Sequence, residues 1–315
     1  MDVSIIICTL NRCQSLQRTL KTCCDLEISP DVRWEVVVVD NHSTDNTRQV
    51  CEAFAGSLPL RYHFEARKGK SHALNTAQDI SKGDLLLFTD DDVDIHARWV
   101  AEMWGAYNRY PERCFFGGRV VPLWEKPPPV WVLRHYTELP QFAQLDWGER
   151  ERFARIEAGE YFPGANSAFP RRAFAEGHRY TETVGLLDGD THRGYIVGGE
   201  DMEFLRTLAH AGWRGMYIPG AIISHRHTAD RCTERYLRNW YVGSGMMIVR
   251  LGEARVASGM IWGAPRFLWR QLFSATSRYL LGRWTCGSKV WLSAECTMAL
   301  TWGKILEYRH GVGKM

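Results

Sequence analysis

The run Phe88-Thr89-Asp90-Asp91-Asp92-Val93-Asp94 sets three carboxylates side by side directly after an apolar stretch. Adjacent carboxylates at a buried strand end repel unless a cation neutralises them, and a hard divalent metal that bridges to phosphates answers that repulsion. An exposed loop would make this run an ordinary solvated turn; its position after residues 85–89 argues for a site. A further acid, Asp40, closes Trp34-Glu-Val-Val-Val-Val-Asp40, where it serves a site or the next turn equally well. A third group is Gly198-Gly199-Glu200-Asp201-Met202-Glu203, whose carboxylates open a predicted helix and are stabilised by its dipole. Capping accounts for these acids as well as function does, but paired glycines would admit a substrate closely, and His225 follows one supersecondary unit later. His225-x-His227 alone is too poor a donor set for structural zinc.

The elements that must carry these groups alternate clearly over the first 120 residues. Residues 3–10 are β-branched and apolar on both faces, as a central parallel strand reads. Leu16, Leu20, Cys23 and Cys24 then recur at helical spacing over residues 11–25, with Asn11 as the expected cap. Strands are predicted at 34–39, 60–66, 85–89, 115–121 and 216–224, and helices from the Ser43-Thr44-Asp45 cap to 55 and at 71–81, 97–110 and 200–211. This order implies right-handed βαβ units and a parallel sheet. Ligands bind such sheets beyond the carboxyl ends of the strands. Thr9, Asn11 and Arg12, then Asp40 and Asn41, then the Asp triplet all fall at those ends, so one crevice should gather them, with Lys68 and Lys70 as further sources of positive charge.

Two other nucleotide-binding signatures fail. Gly69-Lys70-Ser71 imitates the end of a phosphate-binding loop, but the position that needs its first glycine holds Phe64. No glycine stands among Cys8-Thr9-Leu10-Asn11-Arg12, which excludes the dinucleotide-binding turn of a dehydrogenase. With 45% hydrophobic and 24% charged residues, the chain reads as globular rather than disordered. Its thirteen tryptophans point to broad flat contacts such as sugars or a membrane interface. Nine cysteines without a C-x-x-C pair indicate a reducing compartment, and the N-terminal residues carry no leader pattern, so a cytoplasmic location is expected. Charge is uneven: residues 226–315 hold 14 Lys/Arg against 5 Asp/Glu, while residues 1–225 hold 25 against 31.

In order and spacing, Ser4-Ile-Ile-Ile-Cys-Thr-Leu-Asn-Arg12, Val36-Val-Val-Val-Asp40 with Ser43-Thr-Asp45, Gly69 with Ala73-Leu-Asn75, Asp90-Asp91-Asp92, Gly164-x-Asn166 and Glu200-Asp201 make the chain resemble a family 2 glycosyltransferase of the GT-A fold over residues 3–225. The resemblance implies an α/β, Rossmann-like, mostly parallel sheet with flanking helices. It puts Asp40 on the nucleotide base, Thr9, Asn11 and Arg12 around base and phosphates, and Asp90 near the ribose, with Lys70, Asn75 and Asp91 in the same nucleotide-sugar site. It also implies Asp92 on Mn²⁺ or Mg²⁺ with His225 as second ligand, Asp201 as catalytic base with Glu200 beside it, and Gly164 and Asn166 on the acceptor side. The triplet resembles the D-D-D variant of galactofuranosyl-type members.

The expected reaction is metal-dependent, inverting transfer from a nucleotide-diphosphate sugar, with UDP as the favoured nucleotide, to a hydroxyl of a glycan or lipid-linked saccharide. A non-catalytic nucleotide-sugar-binding protein would lack the base, yet Asp201 is present, and a nucleotidyltransferase would carry a Gly-rich first loop. No nucleic-acid partner is expected. The predicted division is a catalytic domain over 1–228, with an acceptor-side insertion at 122–163 bearing Pro127-Pro128-Pro129, Trp131 and Trp147, and a helical extension over 229–315. After Pro265, Leu268, Leu272, Ala275 and Tyr279 share a helix face, flanked by Trp269, Phe273, Thr276 and Leu280, while Arg266, Arg270, Ser274 and Arg278 gather on another. That pattern fits a helix lying in the headgroup layer of an anionic membrane at the cytoplasmic face; packing on the catalytic domain and a homo-oligomer interface are the alternatives.

Overall fold

The computed structural model describes residues 1–110, 113–183, 195, 198–252, 259–285 and 288–310. The chain forms two units. One comprises Met1–Trp124, Phe142–Glu182 and Glu200–His227, and the other Glu125–Gln141, Thr183–Gly199 and Thr228–Met315. Of the segment expected as an acceptor-side insertion, 122–163, residues 125–141 thus fall in the second unit and the rest in the first.

The first unit begins as the alternation dictates, with β1 (Val3–Thr9), α1 (Cys13–Cys24), β2 (Trp34–Asp40), α2 (Thr47–Phe54), β3 (Leu60–Phe64), α3 (Lys70–Ile80) and β4 (Leu85–Asp90). These strands pair in parallel in the order β3-β2-β1-β4. Ile5, Ile6, Ile7, Val36 to Val39 and Leu85 to Leu87 are all buried, which is why their runs show no alternation. The register sets Thr9 beside Asp40 and Cys8 beside Asp90, so three of the polar strand ends line one edge.

The chain continues through β5 (Val93–Ile95), α4 (Trp99–Arg109), β6 (Cys114–Trp124), α5 (Val130–His135) in the second unit, β7 (Arg152–Phe153), β8 (Ser167–Pro170), α6 (Arg171–Ala175), α7 (Glu200–His210) and β9 (Arg214–His227). Among the described residues the sheet has nine strands, β3-β2-β1-β4-β8-β6-β9-β5, with β7 on β9. It is mostly parallel, but β8 runs antiparallel to β4 and β6, and β5 antiparallel to β9. The mostly parallel sheet is as expected; the antiparallel β5 and β8 were not predicted, because strands this short carry no pattern of their own and form only where a partner edge is present.

The helix starts also differ from expectation. Asn11 does not cap α1; it sits at φ 52° and its side-chain oxygen accepts the Thr44 N–H at 2.7 Å. Asp45 serves both helices instead, accepting the Cys13 N–H at 2.9 Å and the Thr47 N–H at 3.1 Å.

The second unit contains α5, α8 (Glu234–Arg250), α9 (Arg266–Thr285) and α10 (Ser288–His310). Helices α8 and α10 approach closely at two glycines: a Cβ on Gly245 would lie 2.1 Å from the Leu300 carbonyl oxygen, and one on Gly303 1.9 Å from that of Val242. Glu295, fully buried, accepts from Arg238 Nε at 2.8 Å. Leu268 packs with Ala264 and Ile305, and Leu272 beside them. The Leu268 stripe expected to meet a membrane is therefore inner packing of this unit, and the correction has a plain cause: an apolar helix face is covered first by its nearest helical neighbour. No helix of the described residues is long and apolar enough to cross a membrane.

Candidate active site

The first bank of the crevice is the turn after β4. Asp91 faces inward and is buried. Its carboxylate accepts the Thr9 hydroxyl at 2.6 Å and Arg12 Nη1 at 3.0 Å, and its carbonyl accepts the Ser15 and Thr19 hydroxyls at 2.8 and 2.9 Å. Burial pushes the Asp91 carboxyl up to about 6 against the pull of Arg12. The same guanidinium reaches Asp92 Oδ2 at 3.1 Å, so an arginine carries part of the repulsion that the sequence assigns to a metal. The antiparallel β5–β9 pairing sets Val93 opposite His225. His225 Nε2 consequently lies 3.1 Å from Asp92 Oδ1.

Asp90, Asp92 and His225 each offer one ligand atom, and these atoms lie within 4.8 Å of one another. Two carboxylate oxygens and an imidazole nitrogen at that spacing suit Mn²⁺, and Mg²⁺ with more water in its shell.

The second bank is the start of α7. Gly199, at φ 120°, needs its glycine for a backbone conformation that side chains disfavour, and Glu200 follows. Lys70, at the start of α3, stands between the banks: its Nζ is 3.1 Å from Glu200 Oε1, 3.7 Å from Asp90 Oδ1 and 3.9 Å from Asp201 Oδ2. Burial opposes its charge, but Asp201, Asp90 and Glu200 together hold the ammonium well above its ordinary range. Desolvation, aided by Glu200 and Asp90, pushes the Asp201 carboxyl up to about 7; Lys70 and the Gly164 N–H pull the other way. Gly164 touches Asp201 so closely that a Cβ there would lie 2.2 Å from Oδ2.

The structure thus brings Thr9, Arg12, Lys70, Asp90, Asp91, Asp92, Gly164, Glu200, Asp201 and His225 to the carboxyl-end crevice. Asp40, Asn75 and Asn166 are each held by protein partners. Asp40 is buried, accepting the Ser43 N–H and the Tyr62 hydroxyl, both at 2.8 Å. Asn75 is paired with the Tyr180 backbone through both ends of its amide, at 2.9 and 3.0 Å. Asn166 has no exposed surface; it accepts from Trp99 Nε1 at 2.7 Å and donates to the Arg119 and Ala221 carbonyls at 2.9 Å. Its polar atoms are spent holding the loop under Asp201.

Arg226 was not legible as part of the site. It is buried and donates to the carbonyls of Val93 at 2.6 Å, Ser15 at 2.9 Å and Asp91 at 3.1 Å, and to the Asp94 carboxylate. It fastens the acidic turn to β9. The one signal in the sequence is a basic residue between two histidines at a strand end.

A mostly parallel sheet with acidic groups at its carboxyl ends and a few short antiparallel strands among the parallel ones is the GT-A arrangement, as the resemblance implies. Residues 4–177 match the family model described as glycosyl transferase family 2, and the chain belongs to that family. It is 33% identical over 273 residues to validoxylamine A glucosyltransferase of Streptomyces hygroscopicus subsp. limoneus, covering 82% of this chain and 54% of that protein. It is 28% identical over 262 residues to the succinoglycan biosynthesis protein ExoM of Rhizobium meliloti, covering 80% of this chain and 75% of the other. This chain therefore spans about half the length of the first relative and three quarters of the second. Among solved structures, the mannosyltransferase PcManGT of Pyrobaculum calidifontis, in complex with GDP-Man and Mn²⁺, aligns with TM-score 0.59 at 20% identity over 96% of this chain and 86% of that one.

Proposed function

We propose that this chain is a metal-dependent, inverting glycosyltransferase that moves a sugar from a nucleoside-diphosphate donor to an acceptor hydroxyl. The observation that carries this reading is the pairing of Asp201, its carboxyl near 7, with the Asp90, Asp92 and His225 cluster across Lys70. Asp92 and His225 would hold Mn²⁺ or Mg²⁺ with Asp90 beside them, and the ion, when bound, supplies Lewis-acid stabilisation of charge on the departing diphosphate. Asp201 accepts the proton of the acceptor hydroxyl as the new glycosidic bond forms. A carboxyl titrating near neutrality is a stronger base than an ordinary aspartate and is still ionised often enough to act. Lys70 keeps Glu200 and Asp201 turned toward the crevice and limits how far the Asp201 pKa rises. Direct displacement at the anomeric carbon needs one base and inverts configuration.

A UDP-sugar is the proposed donor, with Thr9, Asn11, Arg12 and Asp40 on its nucleotide side. A glycan or lipid-linked saccharide is the proposed acceptor, in keeping with ExoM as a polysaccharide biosynthesis protein. The eight described cysteines form no disulfide with one another, in keeping with work in the cytoplasm. Calorimetry with UDP-, GDP- and dTDP-sugars in Mn²⁺, followed by donor hydrolysis, tests the reading. One donor should bind only with the metal, hydrolysis should stop in excess EDTA, and Asp92→Asn should lose on the order of 10³-fold in turnover without loss of fold. Full turnover in EDTA would remove the metal from the mechanism.

A further inference from the structure

The inner face of α9 is packed, and its outer face is exposed. Positions 266, 270, 273, 277, 280, 281 and 284 recur at helical spacing opposite the buried Leu268 and Ala275. On that outer line Phe273 is 77% exposed, Leu280 57%, Leu281 66% and Trp284 89%, and just before the helix Trp262 is 76% exposed. Large side chains gathered outward in this way mark a contact surface. Arg266 and Arg270 stand on the same line, and Arg278 is exposed at its margin. Arg283, by contrast, pairs with Glu234 at 2.8 Å and is not part of the surface.

We propose that this outer face of α9, with Trp262, docks on an anionic lipid bilayer. Aromatic and aliphatic side chains enter the headgroup boundary while guanidinium groups beside them meet lipid phosphates. Exposed tryptophans suit that boundary because one edge is apolar and the indole N–H stays in a polar layer. Charge decides against a second copy of this chain as the occupant. α9 carries no acidic residue, so a two-fold contact through this line would bury its arginines with no carboxylate on the facing copy of the helix to pair them, where interfaces avoid charge. An anionic surface supplies the missing negative charge instead. The excess of 14 basic over 5 acidic residues in 226–315 acts in the same direction.

The surface extends the proposed function by giving a lipid-linked acceptor a place to be met, but it is tested without donor, metal or turnover. The full chain is sedimented with vesicles of phosphatidylcholine alone or mixed with phosphatidylglycerol. Binding should require the anionic lipid and weaken as salt rises. Arg270→Gln should weaken it roughly fivefold, and Phe273→Ser with Trp284→Ser at least about tenfold, at unchanged melting temperature. Indifference to lipid charge, variants that bind like the parent chain, or a solution dimer dispersed by Phe273→Ser would each overturn the proposal. Vesicle binding without donor hydrolysis would keep the docking surface and reject the catalytic reading; hydrolysis without vesicle binding would do the reverse.

Discussion

The two acidic banks of the crevice are alike in sequence and differ in how they are held. At the end of β4, Asp91 is turned inward and spent on Thr9 and Arg12, which leaves Asp90 and Asp92 to share the opening with His225. At the start of α7, Asp201 keeps partial exposure, held by one lysine and the N–H of a glycine pressed against it. The first arrangement lowers the cost of several fixed negative charges, as a cation site needs. The second leaves one carboxyl poorly solvated and therefore basic, as proton transfer needs. A row of acids says little about role until their partners are known.

That contrast can be broken most sharply at Asp201. Asp201→Asn should slow transfer by roughly 10²–10⁴-fold while calorimetry finds donor affinity nearly intact. If affinity collapsed and the chemical step were only mildly slowed, the two banks would share the donor and the base would lie elsewhere. Gly164→Ala probes the same carboxyl without touching its charge. The added methyl must displace Asp201 Oδ2, and a shift of that order should cost about 10²-fold in kcat, with donor Kd unchanged. Equal losses in kcat and donor binding would place Gly164 in the donor pocket instead.

The smallest effect is expected at Lys70, where the banks meet. The base works ionised, so the rate in the parent chain should rise with pH through about 7 and level off above it. Lys70 lowers the Asp201 pKa, so Lys70→Met should move that inflection to higher pH and reduce the rate at neutrality by roughly tenfold. A pH–rate profile that does not move would show that the lysine serves Glu200 and Asp90 rather than Asp201.

Much of this was legible from local pattern. The runs at 3–9, 34–40 and 85–90 are buried on both faces, so their composition alone marks central strands, and their polar ends fix which edge of the sheet holds the site. Arg12 and Lys70 were expected in the nucleotide-sugar site, but the carboxylates they pair with were not legible. Their partners lie 79 residues away in the case of Arg12 and Asp91, and 130 or more in the case of Lys70 with Glu200 and Asp201. Asn75 and Asn166 show the converse: both belong to the motifs, yet the structure spends their amides on backbone groups.

The sequence by itself determined the alternation of strands and helices, the edge at which the acids collect, the family, and the separation of an acidic body from a basic, tryptophan-rich tail. Those properties depend on periodicity and composition, which are local. The tertiary structure decided which way each side chain turns. The antiparallel β5 and β8, too short to announce themselves, carry His225 toward Asp92 and Ser167 beside β4 through pairing registers that no single segment encodes. The face of α9 that meets solvent was decided in the same way. Both of its stripes are apolar, and only the packing of Leu268 with Ala264 and Ile305 leaves Phe273 and Trp284 outside.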